Sequence, residues 1–248
     1  MIFIKTDAQI EIMRKAGRIV AETLKTVGER MRPGITTAEI DRTAEDYIYS
    51  CGAIPAFKGY RGFPATTCVS IDDEVVHGIP GNRELRDGQI VSIDLGSIVD
   101  GFYGDSAFTF AVGEISEEKR RLLEVTRKSL ELGIARVKSG ARLGEVSAAI
   151  QKHVEAEGFS VVRDLVGHGI GKNLHEDPQV PHFGPEDAGP VLKKGMVIAI
   201  EPMVNAGDFK INQKPDGWTI VTSDGSPSAH FEHTVAITDN GADILTRL

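Results

Sequence analysis

Only two cysteines, Cys51 and Cys68, occur in the 248 residues. They cannot build a disulfide framework and lack the spacing of a metal-binding pair, so a reducing, cytoplasmic setting is expected. No run approaches the roughly eighteen apolar residues that cross a bilayer, and Met1-Ile2-Phe3-Ile4 is too short for a secretory leader. The protein is therefore expected to be unexported and without membrane partners. Basic residues are not in excess either. The 28 Lys and Arg stand against 36 Asp and Glu, a net charge of −8, which argues against nucleic acid as the substrate despite the local cluster Lys119-Arg120-Arg121. There is no Pro/Ser/Gly-rich linker and no low-complexity run at mid-chain, so one domain over 1–248 is expected, long enough to bury a substantial core. The Walker lysine pattern is absent from the glycines around His168, which weakens a phosphate-loop reading.

Two carboxylates stand where apolar side chains would be usual. Gln89-Ile90-Val91-Ser92-Ile93 before Asp94, and Ala107-Phe108-Thr109-Phe110-Ala111-Val112 after Asp105, are strand-like. Gly96, Asp100, Gly101 and Gly104 between them signal a turn. A hairpin would bring Asp94 and Asp105 face to face, and two bare carboxylates at that distance repel unless a proton or a cation lies between them.

The second half of the chain repeats the arrangement. Gly88 to Asp94 and Gly195 to Glu201 each enclose five strand-type residues, at an offset of 107, while Gly34, Glu39, Ile40, Ile48 and Gly52 match Gly140, Glu145, Val146, Val154 and Gly158 at an offset of 106. The segment from Asp105 has a looser counterpart from Glu232. A period near one hundred residues is too long for a solenoid and implies two related halves, about 1–113 and 114–248, each with two helices followed by acid-bearing strands. Asp94, Asp105, Glu201 and Glu232 would then converge on the axis between the halves.

Helices are announced by capping boxes at Thr6/Gln9 and Thr36/Glu39 and by a Ser116 cap, each before apolar residues at three- and four-residue steps. The first is expected to run to about Arg32-Pro33-Gly34, and the second to place Cys51 in the core before Gly52. Phe57 to Cys68, rich in aromatics and glycine, is expected as an irregular loop that lines a pocket, and Val69 to Val76 as one strand leading to His77 on a rigid turn. His153 lies on an apolar helical stripe and reads as structural. Trp218, the lone tryptophan, is either core or a pocket wall.

Four carboxylates with one imidazole form an oxygen-rich set, too many ligands for a closed tetrahedral zinc and too acidic for a structural site. Two divalent ions would offset four carboxylates, which points to a dinuclear centre. Such a centre holds a water between ions roughly 3.5–4 Å apart and polarises a carbonyl, the arrangement of metal-assisted amide hydrolysis. His77 and His175 would remain to bind the polar atoms of the substrate.

The motifs Val76-His77-Gly78-Ile79-Pro80, Ile93-Asp94-Leu95-Gly96, Gly104-Asp105, Gly167-His168-Gly169-Ile170-Gly171, His175-Glu176-Asp177-Pro178, Glu201-Pro202 and Phe231-Glu232-His233 together resemble the type I methionine aminopeptidases. The resemblance implies the pita-bread α/β (α+β) fold: two halves related by a pseudo-two-fold, antiparallel sheet with flanking helices. It implies that Asp94 binds one metal, that Asp105 and Glu232 bridge both, and that His168 and Glu201 complete the shell of the second metal. Glu201 would serve as general base or proton shuttle, His77 would contact the scissile amide nitrogen and His175 the carbonyl oxygen. Tyr60, Phe63, Cys68 and Trp218 would line the methionine pocket, with Leu174 and Phe57 beside them. The implied cofactors are two divalent ions (Co, Mn, Fe or Zn) and a monovalent cation near Asp72, Glu74 and Ser228. The implied partners are nascent polypeptide N-termini, whose initiator methionine is removed when the next residue is small, and the ribosome. A monomer in the cytoplasm is expected. Prolidases and Xaa-Pro aminopeptidases, which share a similar ligand set, are the nearest rivals.

Overall fold

The computed structural model describes residues 1–248. Helix α1 (Asp7–Gly28) starts at Thr6, whose side chain accepts the Gln9 N–H while the Gln9 side chain accepts the Thr6 N–H. It ends at Gly28, earlier than Pro33 would require, because Glu29 to Gly34 turn to meet the loop at Leu85. Helix α2 (Thr37–Ser50) repeats the capping box with Thr36 and Glu39. Cys51 follows as its C-cap and is exposed rather than core, since the helix is already turning away towards Gly52. Helices α3 (Glu117–Ile134) and α4 (Leu143–Ala156) form the corresponding pair of the second half, with Ser116 capping α3. The paired glycines of the repeat share a left-handed backbone: φ is +86° and +92° at Gly34 and Gly140, +73° and +81° at Gly52 and Gly158, and +83° at both Gly88 and Gly195.

The central hairpin pairs the strands Gln89–Val99 and Phe102–Val112 without a break from Gln89↔Val112 to Val99↔Phe102. Asp100 and Gly101, both at positive φ, close it as the two-residue turn that suits the twist of the strands. Thr67–Ile71 pairs along the other edge of Gln89–Val99, and the short Ile54–Pro55 pairs near its end. The expected strand 69–76 is in fact two, Thr67–Ile71 and Glu74–Val76, split by a tight turn at Asp72 (φ +53°). A second antiparallel sheet runs Gly241–Ile244, His233–Thr238, Val197–Ile200, Gly167–Gly169, Glu176–Val180. No helix is long and apolar enough to cross a membrane.

Each half has its own core. Val20, Ile40, Ile48 and Ile93 are buried between α1, α2 and the central hairpin, and Leu122, Val146, Ile150 and Ile198 between α3, α4 and the second sheet. Each such side chain contributes about 1.5–3 kcal/mol by leaving water. A third cluster, including Met13, Phe57, Phe63, Cys68, Ile170 and Leu174, lies under the seam between the halves. That seam is stitched by hydrogen bonds: Glu232 N–H donates to Ala107 O at 3.0 Å, Asp105 N–H to Thr234 Oγ1 at 3.2 Å, and Thr234 Oγ1 back to Asp105 O at 2.7 Å.

Candidate metal centre and substrate cavity

The strands deliver the acids, Asp94 and Asp105 from within their strands rather than from the strand ends that the sequence suggested, Glu201 and Glu232 from just beyond a strand end. Asp94 and Asp105 sit on opposite arms of the central hairpin, Glu201 directly follows Val197–Ile200, and Glu232 directly precedes His233–Thr238. The pairing His233↔Ile200 makes Glu232 and Glu201 neighbours, and His168↔Ala199 adds the imidazole from the adjoining strand. Asp94 and Asp105 are not directly opposed as the hairpin alone suggested. Asp94 pairs with Ala107 and Asp105 with Gly96, so the two carboxylates are diagonal neighbours on one face of the sheet. Gly96, paired with Asp105, lets Ala56 pack closely on the hairpin beside the acids, since a Cβ there would lie 2.9 Å from both Ala56 Cβ and Gly104 O.

All five side chains open onto one cavity of about 210 Å³. One donor atom each from Asp105, His168 and Glu232 lies within 4.8 Å of the others, and His168 Nε2 is 3.5 Å from Glu201 Oε1 and 3.7 Å from Asp105 Oδ2. His168 Nδ1 is 2.9 Å from Gly169 O, so Nδ1 carries the proton and the bare lone pair of Nε2 faces the carboxylates. Asp94 Oδ1, Asp105 Oδ1 and Glu232 Oε1 are buried with no hydrogen-bond partner. Lone pairs from every side and no donor to meet them are what a cation-binding cluster requires.

The electrostatics agree. Burial raises the Asp94 carboxyl to about 7, and burial followed by the neighbouring carboxylates holds Asp105, Glu201 and Glu232 well above the usual range. Burial lowers His168 to about 4, leaving it neutral and free to act as a ligand. The donor set of four carboxylates and one neutral imidazole fits hard to borderline divalent ions.

Around the acids stand the other residues expected from the sequence. His77, at φ +60° before Gly78, is held in the left-handed region, and a Cβ on Gly78 would fall 2.2 Å from Val69 O, so the main chain is pressed against the adjacent strand. Its ring lies 6.5 Å from that of Trp218, edge-on. His175 sets its ring 4.3 Å from that of His168, tilted at 49°, and places Nδ1 2.8 Å from the Tyr60 hydroxyl. Burial, then the proximity of His168, lowers His175 to about 3, and burial lowers His77 as well, so both are neutral. Tyr60, Phe63, Cys68 and Trp218 line the cavity together with Phe57 and Leu174, and Trp218 packs edge-on to Phe63 at 5.1 Å.

Sequence reasoning missed two buried histidines beside Glu201. The Glu201 N–H donates to His182 Nε2 at 3.1 Å, and His230 Nε2 is 3.8 Å from Glu201 Oε2. His230 stands two residues before Glu232, a period-two spacing that could have flagged it. Val76, Leu165, Val166 and Met203 complete the apolar wall, and nothing in their local sequence marks them for it.

The model of metallopeptidase family M24 matches residues 11–239. Over the full length of both chains, the sequence is 56% identical to methionine aminopeptidase 1 of Bacillus subtilis, and it is 54% identical to a methionine aminopeptidase of Clostridium perfringens over 99% of each chain. The crystal structure of methionine aminopeptidase from Thermotoga maritima superposes with a TM-score of 0.99 at 50% identity, covering both chains completely. A prolidase from Pyrococcus furiosus also superposes, at TM-score 0.80 and 26% identity, but this chain covers only 65% of it. The fold is thus the pita-bread arrangement of two pseudo-symmetric halves, and the chain belongs to metallopeptidase family M24.

Proposed function

We propose that this chain is a metal-dependent aminopeptidase that removes the N-terminal methionine of peptides and nascent proteins when the second residue is small. The observation that supports this reading most is the convergence of five donors from both halves, with buried oxygens lacking any protein partner, on a cavity walled by aromatic side chains. Asp94, Asp105, His168, Glu201 and Glu232 would hold two divalent ions (Co, Mn, Fe or Zn). When bound, the ions supply Lewis-acid polarisation and a water whose pKa falls into the neutral range.

The chain's own residues do the rest. Glu201 accepts the proton of the attacking water and hands it on towards the departing amine. His77 contacts the scissile amide nitrogen. His175 donates from Nε2 to the carbonyl oxygen as negative charge develops there. The substrate methionine seats among Tyr60, Phe63, Cys68 and Trp218, where sulfur against aromatic rings is favourable by about 0.3–1.5 kcal/mol.

The same reading carries a single catalytic domain built from halves at about 1–113 and 114–248, a monovalent cation at the Asp72 to Glu74 turn beside Ser228, and a monomer that works in the cytoplasm on chains emerging from the ribosome. At that turn, Asp72 O accepts the Ser228 N–H at 2.8 Å, which brings the two segments together. The test is to strip divalent ions with a chelator and titrate each metal back while assaying Met-Ala-Ser against an Xaa-Pro peptide. Metal-dependent release of methionine from Met-Ala-Ser alone is expected, and a preference for the Xaa-Pro peptide overturns the proposal.

A further inference from the structure

Lys5 and Glu176 form an ion pair inside the protein, one residue from His175. Lys5 Nζ lies 2.7 Å from Glu176 Oε2, and the two side chains are only 5% and 3% exposed. Lys5 is itself anchored, since Nζ donates to Phe3 O at 3.3 Å and its N–H donates to Gly195 O at 2.7 Å. Ile2 forms a parallel bridge with Asp177, so residues 2–5 run as a strap along the start of the strand Glu176–Val180.

Glu176 works in two directions. While Oε2 takes the lysine, Oε1 accepts the Asn173 N–H at 3.2 Å and closes the turn 173–176 that presents Leu174 and His175 to the cavity. The preceding Gly171 leaves room for the pair, because a Cβ there would fall 2.5 Å from Lys5 Cε and 2.8 Å from Glu176 Oε1. Gly171 O in turn accepts the Tyr103 N–H at 2.9 Å, which fastens the turn to the central hairpin two residues from Asp105. A buried ion pair is weak support for stability, because apolar residues of similar volume do as well or better. What it supplies that they do not is direction: each charge accepts few geometries.

We infer that Lys5 and Glu176 are positioning residues for His175. The Tyr60 hydroxyl orients the His175 ring, and the Lys5–Glu176 pair sets the main chain that carries it. The inference rests on the proposed contact of His175 with the substrate carbonyl. Displacement of a catalytic group by about 1 Å can cost up to roughly a hundredfold in rate, largely without loss of binding.

The experiment compares Lys5→Met, which leaves Glu176 buried and unpaired, with Lys5→Met/Glu176→Gln, which removes both charges and guards against a simple failure to fold. Each is assayed as the manganese-loaded enzyme on Met-Ala-Ser, in the wild-type and the His175→Ala backgrounds, with manganese affinity measured separately by calorimetry. The double variant is expected to fold and to lower kcat about tenfold with KM changed less than twofold and manganese affinity unchanged. In the His175→Ala background the same changes are expected to add nothing. Losses that multiply on an already impaired His175→Ala enzyme, a fall in manganese affinity in step with activity, or a folded double variant with unchanged kcat each overturn the inference alone. A His175→Ala enzyme as active as the wild type overturns the role proposed for His175, and the inference with it.

Discussion

The hydroxyl of Tyr60 lies 2.8 Å from Nδ1 of His175, and the two rings stack 5.4 Å apart at an angle of 28°. With the tyrosine as donor, Nδ1 is the acceptor and Nε2 carries the hydrogen, the tautomer that can donate to a substrate carbonyl oxygen. Tyr60→Phe keeps the stacked ring and removes only that orienting bond. It is expected to lower kcat/KM on Met-Ala-Ser by roughly tenfold, against about 10²–10³-fold for His175→Ala, which loses the donor outright. Steady-state kinetics of the two variants check this. Equal losses would mean that the hydroxyl itself acts on substrate rather than through the imidazole.

Metal should govern stability as well as activity. The buried oxygens of Asp94, Asp105 and Glu232 that lack protein partners face one another and the lone pair of His168 Nε2. Removing divalent ions leaves these groups mutually repulsive, so the stripped protein is expected to be inactive and to melt lower. At a metal concentration about 100 times Kd, linkage gives about 2.7 kcal/mol, or a rise in Tm of roughly 5–10 °C for a chain of this size. Asp105→Ala and Glu232→Ala are expected to abolish hydrolysis and to lose most of that rise in a thermal scan with added manganese. Full activity in either variant would exclude a shared role for these carboxylates.

The acids were legible in the sequence because a carboxylate in or next to an apolar strand breaks the pattern, and because the repeat showed the break twice. The capping boxes of α1 and α2 were legible for a similar reason: their chemistry is local. What depended on register was not. Whether Asp94 meets Asp105 squarely or diagonally is decided by a two-residue turn at Asp100 and Gly101, and the strand pairing extends well past both acids. Likewise, the exposure of Cys51 follows from where α2 stops, and His182 and His230 reach Glu201 only through strand pairing over long stretches of chain. Lys5 and Glu176 are 171 residues apart and have no shared pattern to announce them.

Glu74 supplies a pH dependence away from the metal ligands. Burial alone would raise its carboxyl, but two bonds from Arg83 (3.0 and 2.5 Å), one from Lys214 (2.7 Å) and the Ile71 N–H (2.8 Å) outweigh burial and lower it below the ordinary value. A carboxyl lowered in the folded state stabilises fully above its unfolded pKa, about 4.3. That contribution is lost as the pH falls from there through the lower folded value. Glu74→Gln is expected to cost roughly 1–3 kcal/mol at pH 7, a gap that narrows below about pH 4.3. Urea midpoints measured between neutral pH and the acid limb test the sign. A gap that widens in acid would mean that the ion pairs do not hold Glu74 down.

Gly104 sets how closely α1 can approach the hairpin that carries Asp105. A Cβ at Gly104 would lie 2.7 Å from Gly17 N and 2.9 Å from Ala16 C, backbone atoms of α1 that cannot swing aside. Gly17 is held from its other side, where a Cβ would fall 2.4 Å from Leu245 O. The helix is therefore wedged between the central hairpin and the C-terminal segment, and it also accepts the Ser97 hydroxyl at Ala16 O, 2.9 Å away. Gly104→Ala must push α1 outward or bend the hairpin, at an expected cost of about 1–3 kcal/mol from overpacking. Because Asp105 is the next residue, the strain should also weaken manganese binding, which Ala substitution at the equally tight but remote Gly144, 2.3 Å from Pro185 O by the same construction, should leave unchanged. Denaturant unfolding together with calorimetric titration of the two variants separates these effects. Equal manganese affinity in both would show that the hairpin absorbs the added methyl without moving its carboxylate.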